Sequence, residues 1–440
     1  MTEKPVVIVG AGYAGLVAAN RLRAANVPFV IYEASPNVAG LASTFKDMDG
    51  YSYDFGTHLI TNRLATTLGI SDQCRDVCYF GESIFLKGKV YAYPFGLVTV
   101  PRYTLSALRR RLAGGGTEAM DAATWSEATL GPELAREVAI PLMEALTGSP
   151  ANELSPAIGN KMPNVLRTLM LRAAGRMSGK AVAIGYCQDL PETSKVWHVY
   201  PKDGIATICH HLIQGIEDHV KLRTPVQKVV VVDGAVQGVE VNGEFQPAQT
   251  VISTAPVNVL PRLIPGTDQL AHLADFRYSN MVFVNLFLRG RRLMPDVATW
   301  FPEDQFDFFR VQEPPISLPW TAPEGHTYLT VDIGCHVGDE VWTTSDEALA
   351  ERCLDQLKPV IPDIRSRFQG ARVLRTKIAY PVYLRAYEAE RQRFSQSSGV
   401  PGLYSVGRNG EFAHILMEDV YHRTNRRVDG AVADLQRAAA

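Results

Sequence analysis

No run in the 440 residues approaches the ~20 consecutive apolar residues that a membrane-spanning helix requires, so no spanning segment and no membrane association are expected. No leader is expected either. Met1 to Pro5 runs straight into Val6-Val7-Ile8-Val9, which a glycine turn ends too early for the apolar part of a signal peptide, and a cytoplasmic protein is expected. Cysteine is sparse. The six (Cys74, Cys78, Cys187, Cys209, Cys335 and Cys353) are scattered, and Cys74 and Cys78 lack a second ligand pair, so reduced thiols and no metal are expected. There is no excess of either charge: the formal net charge of −2 points neither to nucleic acid nor to an acidic partner. One local lack stands out. Between Glu153 and Asp189 there is no acidic residue, while Lys161, Arg167, Arg172, Arg176 and Lys180 lie over an expected apolar face of Val165, Leu166, Leu169 and Ala173. This stretch reads as a solvated helix face, as an anion-binding rim, or as an interfacial helix. The absence of a Trp or Phe anchor argues against the last.

What remains is an ordinary globular composition, 46% hydrophobic and 20% charged, in a chain too long for one core and suited to two interleaved domains. Residues 6 to 33 read as strand, glycine turn, helix, strand, the start of a βαβ unit. Gly10-Ala11-Gly12-Tyr13-Ala14-Gly15 supplies a tight turn, a close approach for a pyrophosphate and a helix–strand contact. The helix start then offers N–H groups to phosphate, and Glu33, at the end of the second strand, is placed for ribose hydroxyls. Further on, Ser83 to Leu86 and Val90 to Tyr93 look like strands, Gly114-Gly115-Gly116 a loop, and Ile205 to Ile216 a helix. Lys228 to Val232 and Val236 to Val241 form a hairpin turning at Asp233-Gly234. Alternation in Met281 to Leu288 and Thr327 to Ile333 predicts an antiparallel sheet, with a helix near Ser345 to Leu357. Leu403 to Val406 is a last strand before a C-terminal helix.

Beyond the glycine turn, further segments resemble a flavoenzyme superfamily that includes amine oxidases, protoporphyrinogen oxidases, carotenoid desaturases and UDP-galactopyranose mutases. Ala39-Gly40-Leu41-Ala42-Ser43 resembles the stretch that wraps the FAD pyrophosphate there, with alanine where the family has a first glycine. Asp54-Phe55-Gly56-Thr57-His58 resembles a segment beside the isoalloxazine ring. Gly407-Arg408-Asn409-Gly410-Glu411-Phe412 followed by Met417-Glu418-Asp419 resembles a motif whose helix start faces the flavin pyrimidine, with Glu418 where aspartate is usual. Val226 matches the family's backbone contact to adenine, and Ala34 follows the ribose acid. The resemblance implies an α/β fold: a Rossmann-type FAD domain from 1–75, 195–260 and 395–440. An inserted α+β substrate domain, 76–194 and 261–394, would add an antiparallel sheet and a helical cap.

The resemblance also places Arg310 in a strand that reaches the active site, where a guanidinium could clamp a diphosphate. Tyr380-Pro381-Val382-Tyr383 resembles the family's Y-P-x-Y segment. Tyr383 and Tyr387, four apart, would share one face if the segment is a helical turn; they could then hydrogen-bond substrate, and buried structural tyrosines are the equal alternative. His58 is the candidate polar group near flavin N5. Three functions are open. The first is an FAD-dependent oxidoreductase taking hydride from a C–H beside nitrogen or oxygen in a small molecule, anionic or phosphorylated. The second is a mutase-like enzyme in which the reduced flavin attacks a sugar. The third is a non-catalytic escort protein, which retention of the flavin motifs opposes. The oligomeric state stays open, a homodimer included.

Overall fold

The computed structural model describes residues 4–439 apart from 48, 94, 113–119 and 162–164; the side chains of 95, 160, 161, 165, 166 and 439 are also outside the description. The expected loop at Gly114–Gly116, and the Lys161, Val165 and Leu166 side chains, therefore lie outside the described residues.

Five parallel strands form the nucleotide sheet, in the order Val220–Lys221, Phe29–Tyr32, Val6–Val9, Val251–Ser253, Leu403–Ser405. Strands from the beginning, middle and end of the chain thus meet side by side; Val6–Val9 and Phe29–Tyr32 are apolar runs because both faces are covered, whereas the edge strands end in Lys221 and Ser405. Helix Tyr13–Ala24 buries Leu16, Val17, Ala18, Ala19 and Leu22 against one face and packs along the C-terminal helix Met417–Ala439. The hairpin of Val226–Val232 and Ala235–Val241 turns at Asp233 (φ 49°) and Gly234 (φ 78°), the pair of left-handed residues that a tight hairpin needs. The helix expected over 205–216 is shorter, Thr207–Leu212, because the chain turns out through Gly215 at φ 75°.

The second sheet has seven strands: Phe368–Thr376, Asn280–Arg289, His326–Cys335, Arg310–Gln312, Ala298–Trp300, Glu82–Leu86 and Lys89–Ala92. It is antiparallel except where Ala298–Trp300 runs parallel to Glu82–Leu86. The alternation in Met281–Leu288 is not between inside and outside. Val282, Val284, Leu286 and Leu288 pack under helix Asp346–Gln356, while Met281 and Phe283 are buried on the opposite face with Phe309 and Ala379. On that opposite face Phe283 meets Gly56, where a β-carbon would stand 3.4 Å from its ring.

The acid-free stretch forms helix Val165–Ser178, and of its expected apolar face Leu169 and Ala173 have described side chains. Leu169 is 47% exposed and Ala173 is exposed, whereas Thr168 and Gly175 are buried. Gly175 is the close contact: a β-carbon there would lie 2.8 Å from the Lys180 carbonyl oxygen. Among the described residues no helix is long and apolar enough to cross a membrane, and no group of His, Cys, Asp or Glu could hold a metal ion.

Candidate active site

Two turns that hold each other build the nucleotide end. The first strand stops at Gly10, whose φ of 99° favours glycine. Helix Tyr13–Ala24 then starts at Gly12 with no side-chain cap and no acid in its first turn. Its first N–H groups have no partner within the helix, and the dipole makes that end attractive to an anion. A β-carbon on Gly15 would lie 2.0 Å from the Gly10 carbonyl oxygen, whereas one on Gly12 would meet nothing nearer than the Ala39 oxygen at 3.9 Å. Gly15 thus closes the helix on the strand, and Gly12 keeps the approach open. Glu33 is pinned beside this turn: Oε2 accepts from the Ala11 N–H at 2.7 Å and Oε1 from Ser35 at 2.8 Å.

The second turn docks on the first through the Ala39 N–H donating to the Ala11 oxygen at 3.0 Å, and Gly40, Leu41, Ala42 and Ser43 follow as a single 3₁₀ turn and its end. Ala39 adopts φ 85° although it is alanine. The left-handed region costs a non-glycine residue about 1–2 kcal/mol. Ala39→Gly is therefore expected to raise stability by about 0.5–1 kcal/mol after glycine's added chain entropy. Urea unfolding checks this, and an unchanged or lowered midpoint would deny the strain.

The chemistry end begins at Asp54, whose carboxylate is buried and accepts from Thr44 Oγ1 at 2.8 Å and Tyr200 OH at 2.6 Å. Neither partner is a cation, and burial pushes the carboxyl up to about 7. His58 Nδ1 lies 3.9 Å from Asp54 Oδ2. Burial, then the Arg408 charge, press the imidazole down to about 4, so it is neutral near pH 7. A carboxyl raised in the folded state contributes stability below about pH 4 that is lost as pH climbs to about 7. Asp54→Asn has no such loss and is expected to gain on the wild type between pH 4.5 and pH 8. Unfolding curves at the two pH values test this, and a pH-independent difference would sink it. His58 acts in the opposite direction over the same range, but it is common to both proteins.

Gly56, at φ 76°, leans on the second sheet, where a β-carbon would stand 3.4 Å from the Phe283 ring. Strand register there sets Phe283, Asp332, Arg310 and Trp300 in one row. Arg310 reaches Asp332 Oδ2 by Nε at 2.7 Å and Nη2 at 2.5 Å, Gln312 Nε2 donates to the same oxygen at 3.2 Å, and the guanidinium stands 5.1 Å over the Trp300 ring. Burial disfavours its charge, but Asp332 and Tyr380 outweigh that and hold its pKa above the ordinary value. Glu82, raised by burial, accepts from Trp300 Nε1 at 3.2 Å. Arg408 faces the row from the nucleotide side. Its Nε donates to the Ile415 oxygen at 3.0 Å and its guanidinium lies 5.5 Å over the Tyr380 ring. Burial lowers its pKa, and no carboxylate among the described residues pairs with it. The structure thus brings His58, Arg310 and Arg408 together. Sequence reasoning missed Glu82, Tyr186 and Asp332, which lie near Arg310. None carries a local motif.

Other expected site residues lie elsewhere. Tyr383 and Tyr387 do not share a face. Tyr387 is buried against Phe276, ring centroids 4.4 Å apart, and its hydroxyl donates to the Val382 oxygen, while the Tyr383 hydroxyl accepts from the His414 N–H at 2.7 Å. Phe412 is fully buried among Phe276, Tyr278 and Tyr387. The Tyr13 ring is buried in the core near Cys209 and Tyr421, so only its backbone can face a nucleotide. Glu418 is taken by Arg63, Nε to Oε1 at 2.6 Å and Nη2 to Oε2 at 3.2 Å, which leaves Met417 as the half-buried start of the helix. Ala34 and Gly40 are exposed, Thr57 is half-buried, Gly407 is buried against Ala14, where a β-carbon would stand 2.6 Å from the Ala14 side chain, and Val226 begins the hairpin buried.

Comparison with known proteins agrees with this geometry. The family described as flavin-containing amine oxidoreductases matches residues 13–426. No curated protein matches the chain. Among solved structures, reduced UDP-galactopyranose mutase aligns with a TM-score of 0.82 at 18% identity, over 98% of this chain and 94% of that one. A protein from Exiguobacterium sp. 255-15 assigned as a protoporphyrinogen oxidase gives 0.75 at 17% identity, over 99% and 100%. Cyclohexylamine oxidase from Brevibacterium oxydans IH-35A gives 0.72 at 15% identity, over 99% and 100%. At these identities the likeness carries the fold. The cofactor is FAD, and the chain fits it: an uncapped helix start, an open Gly12, and a pinned ribose acid in Glu33.

Proposed function

This chain belongs to the flavin-containing amine oxidoreductase family, and we propose that it oxidises a small substrate anchored through an anionic group by Arg408 and Arg310. The observation that carries this is Arg408, a guanidinium set inside the protein beside Tyr380 with no carboxylate partner among the described residues. A buried cation without a counter-ion is costly unless a ligand supplies one. Arg310, by contrast, is aimed by Asp332 and Gln312 and offers its remaining N–H groups in a fixed fork. Neutral His58 can accept a proton from a substrate N–H or O–H as hydride leaves the neighbouring carbon. The FAD, when bound, supplies the hydride acceptor. The chain's work is to hold the carbon in place, keep water out, and receive the proton.

A second reading is favoured by the same pair. Two guanidinium groups on opposite walls also suit a diphosphate, as in a nucleotide sugar rearranged without net redox. The readings separate on one experiment. The FAD-loaded protein is mixed anaerobically with amines, alcohols and carboxylated or phosphorylated analogues, and the 450 nm band is followed. Bleaching by an anionic substrate supports oxidation. Conversion of a nucleotide sugar by the dithionite-reduced form alone, without bleaching of the oxidised form by any compound, supports the rearrangement.

A further inference from the structure

A second arginine-rich cleft lies on the outer side of the C-terminal helix, with a volume of about 540 Å³. That is within the ordinary range for small-molecule sites, about 300–1,000 Å³. Helix Met417–Ala439 contributes Arg423, Arg426 and Arg427, which at three- and four-residue spacing share one face. Helix Glu388–Gln396 contributes Arg391 and Ser395 from the opposite wall. Four guanidinium groups face two lining carboxylates, Asp189 and Glu411.

The pairing leaves donors over. Arg391 uses Nε and Nη2 on Glu388, at 2.8 and 2.5 Å. Asp189 serves both Arg423, by Nε and Nη2 at 3.2 and 2.9 Å, and Arg426, by Nη2. Against the cost of burial, these two arginines hold the Asp189 carboxyl below its ordinary value. Arg427 spends Nη2 on the Ser395 oxygen at 2.6 Å and stands 3.6 Å from Glu411. Among the described residues no Nη1 of the four has a hydrogen-bond partner. Three of the four side chains are at most 24% exposed, so their charges are less screened than those of an open surface.

We propose that this cleft binds a phosphate-bearing small molecule, with the free Nη1 groups of Arg391, Arg423, Arg426 and Arg427 converging on its oxygens. Planar forks that remain charged suit a multi-oxygen anion better than a single carboxylate. The cleft is distinct from the catalytic cluster. The strip Ala413–Ile415 separates the two, lining the cleft on one side while the Ile415 oxygen holds Arg408 on the other. The proposal does not depend on which reaction the flavin site performs.

The test is titration calorimetry of the FAD-loaded protein with inorganic pyrophosphate and, separately, with ADP. Arg426→Ala removes the most exposed of the four, 62%, and is not expected to disturb folding. It should weaken binding by about tenfold, as loss of a hydrogen bond to a charged group does. Arg391→Gln should do the same, and Arg310→Ala should leave this binding unchanged. Pyrophosphate and ADP binding equally would assign the site to the phosphate alone, and tighter ADP to a nucleotide. Absence of millimolar binding, or binding lost in Arg310→Ala and kept in Arg426→Ala, would overturn the proposal.

Discussion

Gly12→Asp is expected to yield a folded protein without flavin. The two glycines of the turn separate folding from binding. At Gly15 a β-carbon would collide with the Gly10 carbonyl oxygen at 2.0 Å, so substitution there damages the strand–helix contact itself. At Gly12 the backbone is extended, with φ −73° and ψ −178°, and a side chain has room. An aspartate there would set its charge in the cradle that the helix start offers to pyrophosphate. Repulsion between unit charges about 4 Å apart amounts to roughly 4 kcal/mol in a partly screened site, or about a 1,000-fold loss of affinity. Purified Gly12→Asp should be colourless and unfold in urea at the midpoint of the apo wild type. A variant that retains about one FAD per chain would remove the turn from the binding site.

Arg310→Ala should have the second large effect, and on two quantities at once. Asp332 is fully buried, and without Arg310 it keeps only Gln312. Removing one partner of a buried ion pair typically costs about 3–5 kcal/mol. The substrate also loses an anchor, for which about 100-fold in kcat/KM is expected. A second substitution separates the two. Arg310→Ala with Asp332→Asn removes the stranded charge and should recover much of the stability without recovering turnover. Recovery of both would make Arg310 a purely structural residue. Loss of stability alone, with unchanged flavin reduction by substrate, would take it out of the site.

The nucleotide end was legible because its chemistry is local. Gly10, Gly12, Gly15 and Glu33 act through a turn and a strand end that lie within one βαβ unit, and their spacing alone carries the geometry. The hairpin at Asp233-Gly234 was legible for the same reason. Ala39 was not, since alanine gives no sign of a left-handed backbone; tertiary docking on Ala11 imposes it. Glu418 matched a motif by position, yet Arg63, 355 residues away in the chain, decides where its carboxylate points. The same holds for Asp332 and Trp300. Their relation to Arg310 is a matter of strand register in a sheet whose pairings no short pattern encodes. A shared face for Tyr383 and Tyr387 requires a regular helical turn, and the chain makes a bridge and then a 3₁₀ turn there. Helix Val165–Ser178 is legible as a helix from its sequence, but Leu169 and Ala173 of the expected apolar face are exposed and the close contact is at buried Gly175, which periodicity does not mark.

The proposed oxidation depends most on an anionic substrate held by Arg408 beside a neutral His58. The direct measurement is anaerobic stopped-flow reduction of the FAD-loaded protein by matched pairs of compounds, each pair differing only in a carboxylate or phosphate remote from the oxidisable carbon. Bleaching of the 450 nm band is expected at least about 100-fold faster with the charged member than with its neutral partner, with that preference lost in Arg408→Gln. Equal rates for the two members, or a preference that persists in Arg408→Gln, would contradict it.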